Sequence, residues 1–492
     1  MSGILSKLFK ETAVYGLSSI VGRFLNWMLV PLYTRILVST GEYGIVTNLY
    51  GWAALLMVLL TYGMETGFFR YASKEDDPMR VYATILLSLL TTSLGFVGLV
   101  GIFLTPIAGG LGYAESRELV MMLAVIIAMD AFTSLPFALL RFRQRPYRFM
   151  AIKMLFIALN IGLNLFFLIL APWLLRQGFD AVALVYNPGY EVGYIFVSNL
   201  IATSVCMLAL VPELSGFRWQ FDAALWRRVM RYSFPILLLG IAGIFNQTAD
   251  KILFPFLFDD KAMAQEQLGI YGACFKVAIV MVMFVQAFRF AYEPFIFSQH
   301  KQGGDTRVYA EAMHGFWLVS LVVFLGVMYY LDILKYFIGE SYYEGLAVVP
   351  IVMLGELCYG VYYNLSVWYK LTDQTRWGAY FSTLGCLVTV AIIIAFVPSY
   401  GYMACAWASL ICNAVMMLAS YLVGRRRFVV PYRIAAGVGY FVVMMALCQL
   451  GLRLPIANEW VLFGVRSLLL LLFVGAVAVI EVPAVRRLLR RS

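Results

Sequence analysis

The residues of this chain best able to do chemistry are charged side chains inside long apolar segments. Arg23 lies in the middle of the first such segment, and Lys251 lies in the middle of the seventh. A charge at the centre of a bilayer costs at least about 2.5–3.5 kcal/mol, so each cation must face a partner or a water-filled cavity. A cation in a cavity could hold an anionic substrate, whereas the structural alternative for Arg23 is an ion pair with an acid such as Asp130 or Asp250. We favour the binding role, because the two cations occupy equivalent positions of an internal repeat.

The repeat has a period of 228 residues and superposes Arg23 on Lys251. The same shift aligns a Gly-x-Tyr-Gly tetrad and three further polar pairs: 41–44 with 269–272, Asn48 with Lys276, Glu65 with Glu293, and Arg148 with Arg376. Each copy holds six apolar segments, so both insert in the same orientation, as in parallel transporter repeats. We predict one six-helix lobe at 1–228, a second at 229–424, and an appended two-helix hairpin with a basic tail at 425–492.

The composition places the chain in a membrane, since 62% of its residues are hydrophobic and 13% are charged. Continuous apolar runs exclude a transmembrane β-barrel, whose strands alternate in segments of about ten residues. A spanning helix needs about 20 apolar residues. We therefore predict an all-α polytopic protein with about fourteen spanning helices, near 13–36, 43–66, 81–106, 118–140, 152–174, 190–212, 234–258, 268–297, 309–332, 345–369, 377–398, 400–424, 434–453 and 459–482.

The loop charges support this number of segments. With a cytoplasmic N-terminus, 26 of the 37 basic residues fall on the cytoplasmic side, six on the other side and five inside the segments. That asymmetry follows the positive-inside rule and predicts that both termini are cytoplasmic. The basic cluster at 141–148 joins two spanning segments, so we predict no nucleic-acid partner.

Further polar residues accompany the two central cations. The seventh segment carries a polar stripe, and Asp250 and Lys251 are neighbours in it, so they should point about 100° apart and not simply neutralise each other. Lys276 is a second cationic candidate, in the eighth segment. The predicted substrate-binding set is Arg23, Asn26, Lys251, Lys276, Asp250, Asn246 and Gln247.

Four more residues are candidates for coupling or gating. Glu65 ends the second segment, where Arg70 is the nearest cation along the chain, and Glu293 ends the eighth. Arg289 and Glu293 are four residues apart and can pair on one helix face, which favours a structural role. Asp130 completes the set. A partly buried carboxylate has a raised pKa, so these acids could titrate during transport and couple it to H⁺ or Na⁺.

Catalysis and metal chemistry find no support in the sequence. The two histidines lie in or beside a polar loop, the seven cysteines fall in apolar segments without a C-x-x-C pair, and no phosphate-binding loop or HExxH motif is present. We predict a protein that is not an enzyme and has no metal or cofactor.

Several stretches resemble the Wzx-type polysaccharide transporters, in the superfamily that also holds the MATE exporters and the peptidoglycan lipid II flippase. The resemblance is carried by 18–23, 30–37 and 41–44 at the start, by 135–141 with Arg148, and by 249–253 followed by 268–272. It implies two six-helix lobes around a central cavity lined by helices 1, 2, 7 and 8. The fourteen segments resemble the lipid II flippase more than the many twelve-helix Wzx proteins.

The resemblance also implies a function. Such proteins flip an undecaprenyl-diphosphate-linked oligosaccharide, the repeat unit of O-antigen, capsule or exopolysaccharide, from the cytoplasmic to the outer leaflet by alternating access. It implies residence in the bacterial cytoplasmic (inner) membrane and partnership with a polysaccharide polymerase and chain-length proteins. The alternatives are a peptidoglycan lipid II flippase and a MATE-like multidrug exporter. Mixed cavity charge with a cationic bias argues against an exporter of cationic drugs.

Overall fold

The computed structural model describes residues 22, 24–301 and 305–489, and this part of the chain is helical without a strand. We number its principal helices α1 Val30–Ile36, α2 Thr40–Ala72, α3 Pro78–Ile102, α4 Arg117–Phe142, α5 Pro146–Arg176, α6 Glu191–Ala209, α7 Ala223–Leu257, α8 Lys261–Lys301, α9 Arg307–Tyr329, α10 Glu340–Leu371, α11 Arg376–Tyr400, α12 Tyr402–Gly424, α13 Ile434–Leu452 and α14 Glu459–Leu489.

Within the described residues, thirteen helices, α2 to α14, are each long enough and apolar enough to cross a membrane. They coincide with the second to the fourteenth predicted segments, which confirms an all-α polytopic membrane protein. In the first predicted segment, 13–36, residues 13–21 and Arg23 lie outside the described residues, and α1 occupies its end.

Local sequence sets several helix boundaries. The Ser39 hydroxyl accepts from the Glu42 amide and starts α2, while Tyr62 and Gly63, at φ 31° and 71°, break the helix into two parts. Asp222 starts α7 by accepting from the amides of Leu225 and Ala224. These bonds, with the adjacent Arg80 guanidinium, hold the pKa of the Asp222 carboxyl below its usual range.

The chain forms two compact units. The first comprises 1–272 with 393–402, and the second comprises 273–392 with 403–492. A core cluster of the first unit packs Phe68 from α2 against Tyr82 from α3 and Leu135 from α4. The lobe boundaries near residues 228 and 424 stay a prediction.

Both copies of the repeated tetrad lie in the first unit and contact each other directly. The Gly44 backbone meets the Gln265 carbonyl, and the Gly269 backbone meets the Thr40 carbonyl, so closely that an added Cβ would overlap either oxygen. Only glycine fits such a close approach of two backbones. The repeat therefore marks the place where the N-terminal ends of α2 and α8 cross.

In the second unit, the appended hairpin is held against α9 by buried polar contacts. The Trp317 indole donates to the Gly437 carbonyl at 2.9 Å, and the Tyr329 hydroxyl donates to the Leu447 carbonyl at 2.6 Å. At the opposite end of α14, Glu481 pairs with Arg433 at 2.7 Å and accepts from the Tyr440 hydroxyl at 2.9 Å.

Arg466 of α14 is the central polar contact of this hairpin. It is 4% exposed and donates to the carbonyls of Tyr329 and Gly451, each at 3.1 Å, and to Asp332 at 2.7 Å. Two carbonyls and a carboxylate thus satisfy the Arg466 guanidinium within the protein, and these contacts give the residue a structural role.

Candidate functional site

Lys251 lies in a polar cluster on α7. Its ammonium contacts both carboxylate oxygens of Asp250, at 2.8 and 2.9 Å, and the Gln247 carbonyl at 3.5 Å. The prediction that Asp250 and Lys251 would not neutralise each other is wrong. Helical geometry separates the directions in which the two side chains leave the backbone, but the four-carbon lysine stem lets the ammonium fold back onto the preceding carboxylate.

Other helices complete this cluster. The Tyr271 hydroxyl of α8 donates to Asp250 Oδ2 at 2.6 Å, and the Asn48 amide of α2 donates to the Lys251 carbonyl at 2.6 Å. Asn48 in turn accepts from the Tyr113 hydroxyl at 2.8 Å. Besides the Lys251 ammonium, Asp250 therefore has two donors, the Tyr271 hydroxyl and the Lys251 backbone amide at 2.9 Å.

The remaining predicted binding residues are more dispersed. Arg23 lies outside the described residues. Asn26 is exposed and accepts from the Asn160 amide at 3.4 Å. Asn246 is half-buried, Gln247 is exposed, and Lys276 is half-buried in the second unit. The structure therefore joins Asp250, Lys251 and the Gln247 carbonyl directly, together with Asn48 and Tyr271, which were not in the predicted set.

Two of the three predicted gating acids form equivalent ion pairs in their own units. Glu65 of α2 pairs with Arg141 of α4 at 2.6 Å, and Glu293 of α8 pairs with Lys370 of α10 at 2.8 Å. Lys370 is one residue beyond the repeat equivalent of Arg141. An acid at the end of the second helix of each copy thus meets a cation at the end of the fourth.

These pairs correct the partners expected from the sequence. Glu293 contacts Lys370, and its local neighbour Arg289 instead lies 4.3 Å over the Tyr363 ring. Arg289 also donates to the Tyr359 hydroxyl at 3.3 Å. Arg70, the nearest cation to Glu65 along the chain, lies over a tyrosine ring at 4.0 Å. The packing of helices that are distant in sequence determines both partners. The i, i+4 rule describes pairs within one helix, so it cannot predict them.

Asp130 lines a cavity of about 420 Å³ inside the first unit, among α2, α4, α5 and α6. The same cavity receives the Glu65–Arg141 pair and Lys153. Lys153 was not among the predicted site residues, although its position one residue inside the predicted fifth segment, 152–174, was an available signal. The other lining residues are Met57, Thr133, Ser134, Phe137, Phe149, Phe156, Thr203 and Cys206.

A metal centre finds no support in the described part of the chain, where no group of three or more His, Cys, Asp or Glu residues is placed to hold an ion. The site chemistry is that of buried ion pairs and neutral hydrogen-bonding groups.

Comparison with solved structures gives the fold. A lipid II flippase, MurJ, in an inward closed conformation aligns over 95% of this chain and 99% of its own, with a TM-score of 0.75 and 12% identity. An inward-facing multidrug resistance MATE transporter of the MOP superfamily aligns over 82% of this chain and 94% of its own, with a TM-score of 0.65 and 12% identity. The outward-facing MATE conformation gives 0.57 at 13% identity, over 85% and 95% of the two chains.

No curated protein matches the sequence. Residues 8–300, more than half of the chain, match the family described as polysaccharide biosynthesis protein. This range contains the first repeat copy, the α7 cluster and the crossing tetrads. The chain is thus a multi-pass membrane protein with the fold of the MurJ and MATE transporters, and it belongs to the polysaccharide biosynthesis protein family.

Proposed function

We propose that this protein is a transporter that flips an undecaprenyl-diphosphate-linked oligosaccharide from the cytoplasmic to the outer leaflet by alternating access. The oligosaccharide would be a repeat unit of O-antigen, capsule or exopolysaccharide. The observation that carries the proposal is the family match over residues 8–300, which contains the buried Asp250–Lys251 cluster on a transporter fold. The likeness of this fold to those of a flippase and of MATE transporters supports a transport role.

The α7 cluster suggests how an anionic head group is held. Lys251 is 16% exposed and has Asp250 as its counterion. A diphosphate could replace Asp250 at the ammonium, because the Tyr271 hydroxyl and the Lys251 amide would still satisfy the displaced carboxylate. Charge-assisted bonds between an ammonium and phosphate oxygens are among the stronger hydrogen bonds. Arg23, at the repeat-equivalent position, is proposed as the second cation, while Lys276 of the second unit stays a predicted binding residue.

The membrane potential favours this direction of transport. The cell interior is negative, and moving one negative charge outward gains about 2.3 kcal/mol per 100 mV. A diphosphate could therefore be exported by the potential alone. The alternative we propose to test is coupling of transport to H⁺ or Na⁺ through Asp130, Glu65 or Glu293. Arg289 lies four residues before Glu293 in the same helix.

A peptidoglycan lipid II flippase is the second candidate function. The MurJ structure aligns over 95% of this chain, whereas the inward-facing MATE structure aligns over 82%. Lipid II also carries a diphosphate, so the Lys251 site suits either glycan. A MATE-like drug exporter remains a third outcome of the tests.

The setting of the protein follows from this role. We propose that it resides in the bacterial inner membrane with both termini in the cytoplasm, acts without catalysis or a cofactor, and works beside a polysaccharide polymerase and chain-length proteins.

The deciding experiment is flipping of a fluorescent undecaprenyl-diphosphate sugar in liposomes, with and without an imposed potential. Wild type should flip the lipid faster when the potential favours anion export. Lys251→Ala combined with Arg23→Ala should reduce the rate at least tenfold. Arg227→Gln, an exposed cation on the same helix, serves as the matched control and should leave the rate unchanged.

Two results would contradict the proposal. Unchanged flipping by the double variant would remove the cationic site. Failure of wild type to flip any diphosphate-linked sugar, with transport of cationic amphiphiles instead, would establish the drug-exporter function. A preference for lipid II over single-sugar lipids would select the second candidate.

A further inference from the structure

The cavity in the first unit carries charges that cancel. Glu65 and Asp130 contribute two negative charges, and Arg141 and Lys153 contribute two positive ones. The Glu65–Arg141 pair is partly exposed, with 41% and 32% of the side chains accessible, so it stands at the rim. A cavity with no net charge gives neither a cation nor an anion a net electrostatic advantage.

Several polar atoms that line this cavity form no hydrogen bond or close ion pair with the described residues. Among the described residues, Asp130 and Lys153 form no ion pair shorter than 4.0 Å, and the buried Arg141 Nε has no hydrogen-bond acceptor. Lys153 instead lies 4.1 Å from the centre of the Phe137 ring. An unsatisfied buried polar group costs about 1–3 kcal/mol, and this cost applies to the buried Arg141 Nε, whereas Asp130 is half-buried and Lys153 is exposed. These groups are therefore placed to bind something that can both donate and accept hydrogen bonds.

The cavity walls narrow the chemistry further. Aromatic rings of Phe137, Phe149 and Phe156 line it beside the hydroxyls of Thr133 and Thr203. Apolar faces next to a few convergent polar groups are typical of small-molecule sites, and 420 Å³ lies within their usual range of about 300–1,000 Å³. A neutral pyranose has this pattern, since its ring faces are apolar and its hydroxyls can donate to a carboxylate and accept from an ammonium.

We propose that this cavity is a sugar-binding subsite that takes one neutral pyranose ring of the lipid-linked glycan. The inference rests on the proposed function for the source of the sugar. A site for a metal cation is disfavoured because Lys153 and Arg141 share the cavity with the two acids. Asp130 is then a binding residue that orients hydroxyl groups.

Binding can be measured without transport. The full chain in nanodiscs is probed by saturation-transfer difference NMR with glucose, glucuronate and glucosamine, which are neutral, anionic and cationic forms of similar rings. Glucose should give the strongest signal. Asp130→Asn and Lys153→Met, the latter at an exposed position, should each lower the glucose signal at least fivefold. Glu115→Gln, which replaces an exposed loop acid, should leave the signal unchanged.

Other patterns would overturn the subsite. Equal glucose signals in wild type and in folded Lys153→Met would show that the cavity does not hold the sugar. Preference for either charged ring would contradict a cavity of zero net charge. A change in melting temperature with Na⁺ that is lost in Asp130→Asn, without a glucose signal, would assign the cavity to ion coupling.

A competition arm identifies the source of the sugar. Undecaprenyl-diphosphate-glucose incorporated into the same nanodiscs should displace free glucose from wild type and reduce its signal at least threefold. No displacement would mean a site for free sugar and would refute the assignment to the glycan. The NMR experiment measures sugar binding and not transport. Failure of flipping in liposomes would therefore refute the proposed function without deciding whether the cavity binds the sugar.

Discussion

Replacing Gly44 by alanine tests the crossing of α2 and α8 described above. The new Cβ would overlap the Gln265 carbonyl oxygen and lie 3.1 Å from the Gln265 Cα. Both obstacles are backbone atoms, so no change of side-chain rotamer relieves the overlap. The helices would have to separate by on the order of 1 Å, and overpacking of this kind costs about 1–3 kcal/mol or more.

A matched control separates this overlap from the ordinary effect of adding a methyl group. Gly98 lies in α3, and a Cβ there meets nothing within 4 Å. Alanine in an open helical position is favoured by about 1 kcal/mol over glycine. Gly44→Ala should therefore lower the apparent melting temperature in detergent by several degrees, while Gly98→Ala should leave it unchanged or raise it.

The same assay on Gly269→Ala extends the test to the other copy of the tetrad. Its Cβ would overlap the Thr40 carbonyl, so it should destabilise to a similar degree. If Gly44→Ala and Gly269→Ala both have the same apparent melting temperature as Gly98→Ala, the reasoning from the close backbone approach is refuted.

Three further substitutions test the buried charges. Asp250→Asn removes the counterion of the Lys251 ammonium and should lower the free energy of unfolding by about 3–5 kcal/mol. Adding Lys251→Met should restore part of this stability. Equal melting temperatures of the single and double variants would contradict the pairing. Arg466→Met should increase hydrogen–deuterium exchange in the terminal hairpin before the rest of the second unit, and unchanged exchange there would show that the hairpin is held by apolar packing alone. Lys370→Glu should slow flipping because it places two carboxylates together. The double variant Lys370→Glu with Glu293→Lys restores an ion pair of opposite orientation and should recover the rate. A double variant as slow as Lys370→Glu would show that flipping does not depend on the ion pair itself.

Hydropathy predicted most of this fold because the bilayer requires long apolar helices, and thirteen of the fourteen predicted segments coincide with helices of the described chain. The repeat was visible because duplication preserves spacing. Its glycine tetrads then proved to contact each other, which spacing alone could not indicate. Close approach of two backbones depends on how distant helices cross.

The charged residues were harder to assign. Helical angles predicted that Asp250 and Lys251 would diverge, but side-chain length decided the pairing. Glu65 and Arg141 are 76 positions apart by their numbers, and only packing of α2 on α4 brings them together. The cavity around Asp130 was unpredictable for a similar reason, because four separate helices form it. Residue type identified several participants, whereas their partners required the tertiary structure.

The contacts of Arg466 have a consequence for the order in which the chain is assembled. Helix α14 is strongly apolar, with a mean hydropathy of 2.4, yet its arginine adds about 2.5–3.5 kcal/mol to the cost of insertion. One carbonyl that offsets this cost belongs to Tyr329, 137 residues earlier in the chain. Helix α14 therefore gains a stable position only after α9 has been integrated, so biogenesis of the hairpin is coupled to insertion of this earlier helix.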